Sequence, residues 1–242
     1  MFGMSDVTLI SFIYASLISV ASLIAVVIVK VLGIDRMDIK LQLALASGVF
    51  IGIAFIGALP MVIESGEEFY SISVFLGFMT FTLVELVLGY HEHHHLHGTH
   101  LGIMGISSDI LHNFIDGVFI YTAFALDPLL GILVSLATLL HELPQEVSDF
   151  IILLRAGLGF SKAVAVNLLV SGSTFLGIIL ASIVPIDPIF IAGFMAGNYI
   201  YIAAVDLIPD ISKGVKGFER LKTYIVFIFG IGLIYGLHLL MG

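Results

Sequence analysis

Runs of about 20 apolar residues fill nearly the whole chain, at 7–29, 41–60, 71–90, 102–125, 129–153, 162–183, 189–208 and 223–241. A helix rises 1.5 Å per residue, so each run can cross roughly 30 Å of hydrocarbon. In that medium every backbone N–H and C=O needs a partner, and a helix is the form in which one segment satisfies its own. Composition agrees, with 60% hydrophobic and 11% charged residues against about 25% charged in soluble domains. The expected fold is an all-α integral membrane protein of eight transmembrane helices, a single domain over 1–242. The first run follows no Lys or Arg and exceeds the short apolar stretch of a secretory signal, so it reads as a mature helix. Zero cysteines exclude disulfides and thiolate metal sites. No phosphate-cradling G-x-x-x-x-G-K-[ST] loop is present, so no built-in ATPase is expected; no nucleic-acid partner is expected either.

Eight spans put both termini on one side. Lys30, Arg36 and Lys40 then share a face with Arg155 and Lys162 and with Lys213, Lys216, Arg220 and Lys222, which together are all nine cations. The positive-inside rule assigns that face to the cytoplasm and both termini to the outside, with the cell membrane as the expected location. Asp6, Glu64, Glu67, Glu68, Asp127 and Asp187 make the other face wholly acidic. Such a face attracts cations, although acids also serve simply to keep loops hydrated.

Ionisable groups inside a span are costly and usually face a cavity or a partner. In ISSDILHNFIDG, residues Asp109, His112, Asn113 and Asp116 share one helical face. In HELPQEVSD, His141, Gln145 and Asp149 recur every four residues, with Glu142 and Glu146 in the next row. The short ALDPL connection makes these two helices antiparallel neighbours, so their polar faces meet at one depth. Two imidazoles, an Asp and a Glu carboxylate and two amide oxygens suit a four- to six-coordinate divalent transition metal: imidazole fits Zn, Fe, Ni and Cu, and the oxygens extend the range toward Mn. An all-oxygen Ca or Mg site would not need the histidines. Pro144 lacks an N–H to bond the Leu140 carbonyl, so HELPQE is expected to be kinked and to line a cavity.

HNFIDG at 112–117 and HELPQE at 141–146 resemble the paired signatures of the ZIP family of divalent-metal transporters, and AGNYIYIAAVDLIPD at 196–210 extends the likeness. The resemblance implies an inverted repeat of helices 1–3 and 6–8 around helices 4 and 5. It also implies a secondary carrier moving zinc, then iron or manganese, with cobalt and cadmium as related substrates, toward the cytosol, and a tendency to homodimers. Carried onto this chain, one metal position would use His112, Asp116, His141 and Gln145. A second would use Asn113, Asp116, Glu142 and Gln145, with Asn167 or Ser171 added from helix 6. The family branch has His where this chain has Gln145, and an amide oxygen is a harder, weaker ligand, which shifts preference toward Fe or Mn.

Asp109, Glu146 and Asp149 continue the polar faces toward the cytoplasm and read as a release path or as helix-end groups. His91, His93, His94, His95, His97 and His100 form a His-rich cytosolic loop, expected to accept metal at low affinity or to act as a hydrophilic connector. Glycines four apart at 48/52, 193/197 and 232/236 read as helix-packing surfaces. Two rival functions share the same residues. One is a cation channel, distinguished by very fast, non-saturating flux. The other is an intramembrane metalloprotease, which an H-E-x-x-H motif would support but Gln145 interrupts.

Overall fold

The computed structural model describes residues 4–32, 39–88, 99–155, 157–213 and 216–241. They are helical almost throughout: α1 (Met4–Leu32), α2 (Ile39–Gly52), π1 (Ile53–Ala58), α3 (Leu59–Glu64), α4 (Glu68–Leu88), α5 (Thr99–Leu126), α6 (Pro128–Arg155), α7 (Phe160–Ile183), α8 (Pro188–Tyr201), π2 (Ile202–Leu207), α9 (Ile208–Ser212) and α10 (Gly217–Met241). Six stretches among the described residues are long and apolar enough to cross a membrane: 4–28, 40–64, 128–151, 160–183, 188–205 and 217–240. His91, His93, His94, His95 and His97 lie outside the described residues, and His100 falls in the first turn of α5.

Large apolar side chains cover the outside as well as filling the core, and a set of polar groups is buried among them. Leu9, Leu17 and Ile24 on α1, Leu169, Leu176 and Ile183 on α7, and Ile225, Ile228 and Leu239 on α10 point outward, whereas Asp109, Asn113, Asp116, His141, Glu142, Glu146 and Asn167 are buried. An apolar outer surface around inward-facing ionisable groups is the arrangement a bilayer selects.

Two spans share a device. π1 runs directly into Leu59 and Pro60, and π2 directly into Ile208 and Pro209, with the backbone helical at each junction. Proline cannot donate to the preceding turn, and the wider π turn re-routes the backbone bonds just before it.

Three helix pairs cross glycine on glycine. A Cβ built on Gly117 would fall inside the Thr174 carbonyl oxygen, and one on Gly177 inside that of Phe114. Gly77 and Gly197 do the same to the carbonyls of Phe194 and Val74, and Gly48 and Gly230 to those of Phe227 and Leu45. In each pair the oxygen belongs to the residue three before the facing glycine. α5 thereby locks on α7, α4 on α8 and α2 on α10. Of the glycines expected to pack, 48, 52, 193 and 197 do so, but Gly232 and Gly236 meet nothing within 4 Å. Gly230 is the glycine of α10 that the fold uses.

Two poles are tied by hydrogen bonds. Lys40 Nζ donates to the Lys213 carbonyl, joining the start of α2 to the end of α9. At the opposite ends of these rods, Tyr70 donates its hydroxyl to Asp187 Oδ2 at 2.7 Å. Asp187 also caps α8 through the N–H groups of Ile189 and Phe190, with Pro188 in its first turn. Asp127 repeats the device on α6, accepting from Leu130 N at 2.8 Å ahead of Pro128.

The Tyr70 hydroxyl and the α8 N–H groups hold the Asp187 carboxyl below the usual carboxylate range. A depressed carboxylate contributes stability that is present above its unfolded pKa and lost as pH falls through the folded value. Tyr70→Phe is therefore expected to lower the thermal stability of detergent-purified protein slightly at neutral pH, because the pair is exposed. The gap should close on acidification. Thermal scans across pH check this, and a constant gap would contradict it.

Candidate metal centre

The centre sits where α5 faces α6. His112 and Asp116 stand one turn apart on α5, and His141 and Glu142 are consecutive on α6, which runs helical through the whole HELPQE segment. One ligand atom from each of these four residues lies within 4.8 Å of all the others. His112 Nε2 and His141 Nε2 are 2.9 Å apart, and Asp116 Oδ2 lies 3.1 Å from the latter and 3.7 Å from the former. Glu142 Oε1 is 3.4 Å from His141 Nε2.

The second ring nitrogen of His141 decides the chemistry of the first. His141 Nδ1 lies 2.9 Å from the Ala137 carbonyl, an acceptor only, so Nδ1 must carry the proton. In the neutral ring Nε2 is then a lone pair aimed at Asp116 Oδ2, at Glu142 Oε1 and at the other imidazole. Glu142 Oε1 is buried without a hydrogen bond of normal geometry. Three or four electron-pair donors thus converge in a site where Asp116, His141 and Glu142 are each at least 95% buried. A cation placed among these atoms would resolve that convergence. Ligands held tetrahedrally at zinc distances lie roughly 3.3 Å apart, comparable with the 2.9 to 3.7 Å among the His112, His141 and Asp116 atoms.

The ring of Phe50, on α2, packs 4.9 Å from the His141 ring and fixes its plane. No periodicity within α5 or α6 signals that contact, since it comes from a distant segment.

The other residues singled out in the sequence make contacts around this core. Asn113 donates to the Asp109 carbonyl and accepts from Thr174 Oγ1 at 3.1 Å, tying α5 to α7. Gln145 donates Nε2 to Asp109 Oδ1 at 3.2 Å. Asp149 is within hydrogen-bonding reach of Asp109, so Asp109 and Gln145, one turn beyond the imidazoles, and Asp149, two turns beyond, make a second tier. Glu146 turns toward α7, where Ser171 Oγ donates to its Oε1 at 2.6 Å and Asn167 Nδ2 to its backbone carbonyl.

The sequence profile described as "ZIP Zinc transporter" matches residues 91–238, which hold both α5 and α6 and their polar faces. The chain belongs to the ZIP family. Among individual ZIP relatives, the Drosophila melanogaster "Zinc transporter ZIP13 homolog" is 34% identical over 139 residues, 54% of this chain and 39% of that protein. "Zinc transporter foi" of the same organism is 41% identical over 127 residues, 51% and 18% of the two chains. "Metal cation symporter ZIP14" of Mus musculus is 32% identical over 138 residues, 55% and 28%. The match to this ZIP chain thus spans well under half the length of these curated relatives.

Proposed function

We propose that the chain is a carrier, not an enzyme, that moves divalent transition metals toward the cytosol through the site between α5 and α6. Zinc is the leading substrate, followed by iron or manganese, with cobalt and cadmium in the same class. The observation that carries this reading is the meeting of two imidazole nitrogens and two carboxylate oxygens, one of them orphaned, all within 4.8 Å of one another. Asn113 and Gln145 offer amide oxygens beside it once their present hydrogen bonds exchange. The tier of Asp109, Gln145 and Asp149, with Glu146, Asn167 and Ser171, forms the inward release path. Its carboxylates trade metal for protons, because ligands must be deprotonated to hold metal.

The topology we infer has eight spans. α2–π1–α3 is the second, α4 the third, α5 and α6 the fourth and fifth, and α8–π2–α9 the seventh, with both termini outside a cell membrane. The Lys40–Lys213 tie supports a shared cationic pole for two of the cation-bearing loops. Matching π-then-proline elements support an inverted repeat, as does Gly48, which stands as far before Pro60 as Gly197 does before Pro209. Exchanging spans 2 and 3 for 7 and 8 also converts the α4–α8 crossing into the α10–α2 crossing. The unpartnered Gly232 and Gly236 face leaves α10 free for a homodimer contact.

Uptake into proteoliposomes, with Zn, Fe, Mn, Co and Cd in competition, tests the reading. Saturable uptake supports a carrier, and linear, very fast flux would favour a channel. Gln145→His adds an imidazole, a softer ligand, and is expected to lower the KM for zinc several-fold while weakening competition by manganese. An unchanged rank order would remove Gln145 from the selectivity argument.

A further inference from the structure

Thr138 and Tyr199 are 2% and 0% exposed, yet neither hydroxyl makes a hydrogen bond of normal geometry. The two approach each other from α6 and α8, close enough to interact, and the phenol lies within the field of the Asp116 carboxylate. Thr138 stands one turn before His141, on the side of α6 toward Asp127 and hence toward the acidic pole. The Phe50 ring lies 4.5 Å from that of Tyr199 and 4.9 Å from that of His141, and Phe119 closes on Tyr199 at 5.6 Å. Two hydroxyl oxygens and one carboxylate therefore lie among the Phe50 and Phe119 rings, with Phe50 shared by Tyr199 and His141.

Buried hydroxyls normally have partners, and leaving two unpaired in low dielectric is costly. Each oxygen can turn its O–H away and present a lone pair. We propose that Thr138 Oγ1 and Tyr199 OH, sharing Asp116, form an oxygen-only outer subsite that replaces hydration water on a divalent cation before it reaches His112 and His141. The inference rests on the transport reading above. It also sets selectivity. Hydroxyl and carboxylate oxygens suit Mn better than the softer Cd, whereas the imidazoles do the opposite. The outer subsite thus admits oxygen-preferring ions that the inner ligands alone would disfavour.

The test is proteoliposome uptake of Mn, Zn and Cd by Tyr199→Phe and by Thr138→Val, which keep ring and shape and remove only the hydroxyl. The KM for Mn should rise roughly tenfold, the low end of the loss seen when a group supporting a metal site is removed. The KM for Cd should move far less, and Thr138→Ser should restore the wild-type Mn to Cd ratio. Equal losses for all three metals would mean a packing role and overturn the proposal, as would no change at all. If Tyr199→Phe fails to fold, Thr138→Val decides the matter alone. Wild-type protein that moves no metal would sink the transport reading itself. Loss of transport in His141→Ala, together with unaltered metal ratios in the hydroxyl variants, would sink only the outer subsite.

Discussion

His141→Ala is expected to lower uptake of every transported metal by at least roughly tenfold, since removing even a group that supports a metal ligand costs 10–100-fold in affinity or activity. The size of the effect follows from position. His141 Nε2 is the atom nearest to all the others, at 2.9 Å from His112 Nε2, 3.1 Å from Asp116 Oδ2 and 3.4 Å from Glu142 Oε1. Its ring is held by the Ala137 carbonyl on one side and Phe50 on the other. Removal leaves two buried carboxylates facing one imidazole across an enlarged space. Neutralising them with protons would further weaken metal binding. Initial rates in proteoliposomes, normalised to protein incorporated, check the prediction. Wild-type rates in both His141→Ala and His112→Ala would refute the site.

Gly117→Leu should be strongly destabilising. The Cβ would collide with the Thr174 carbonyl, a backbone atom of a neighbouring helix that no rotamer change can move. α5 and α7 must separate, and the Asn113–Thr174 hydrogen bond and the contacts of Ser173 with the Ile110 carbonyl would separate with them. Overpacking of this kind costs about 1–3 kcal/mol or more, enough to lower the melting temperature in detergent by several degrees and to reduce the yield of folded protein. Gly232→Ala supplies the contrast. Nothing lies within 4 Å of its position, and alanine is a better helix former by roughly 0.5–1 kcal/mol, so this variant should melt at or slightly above the wild type. Equal melting of Gly117→Leu and wild type would show that the crossing is looser than its geometry states.

Glycine also shows how far a sequence can be read. Pairs four apart are common among 25 glycines, and spacing along one helix does not say which glycine faces a partner. Gly48 and Gly197 were legible as packing positions. Gly230, Gly77, Gly117 and Gly177 were not, because each close approach is made by a carbonyl from a segment many residues away. The π segments behave similarly. Pro60 and Pro209 announce a disturbance, but the preceding π turn is a backbone response that propensity alone does not predict. The Asp-Pro pairs at 127–128 and 187–188 did carry a readable helix-start signal, an N-cap followed by proline in the first turn. Read only as surface acids, they prove to be caps that begin α6 and α8.

Two properties follow from the sequence alone. Hydrocarbon forces each long apolar run to satisfy its own backbone, so the presence of helices is a local consequence of composition. The 3.6-residue repeat places His112 with Asp116, and His141 with Gln145, on single faces before any fold is known. Which members of those faces converge is a different matter. A side chain's partner depends on helix rotation and separation, and these are set by the glycine crossings and by contacts such as Phe50 on His141. The tertiary structure brings Glu142, from the neighbouring row of α6, beside both imidazoles and Asp116, and turns the Gln145 amide nitrogen to Asp109.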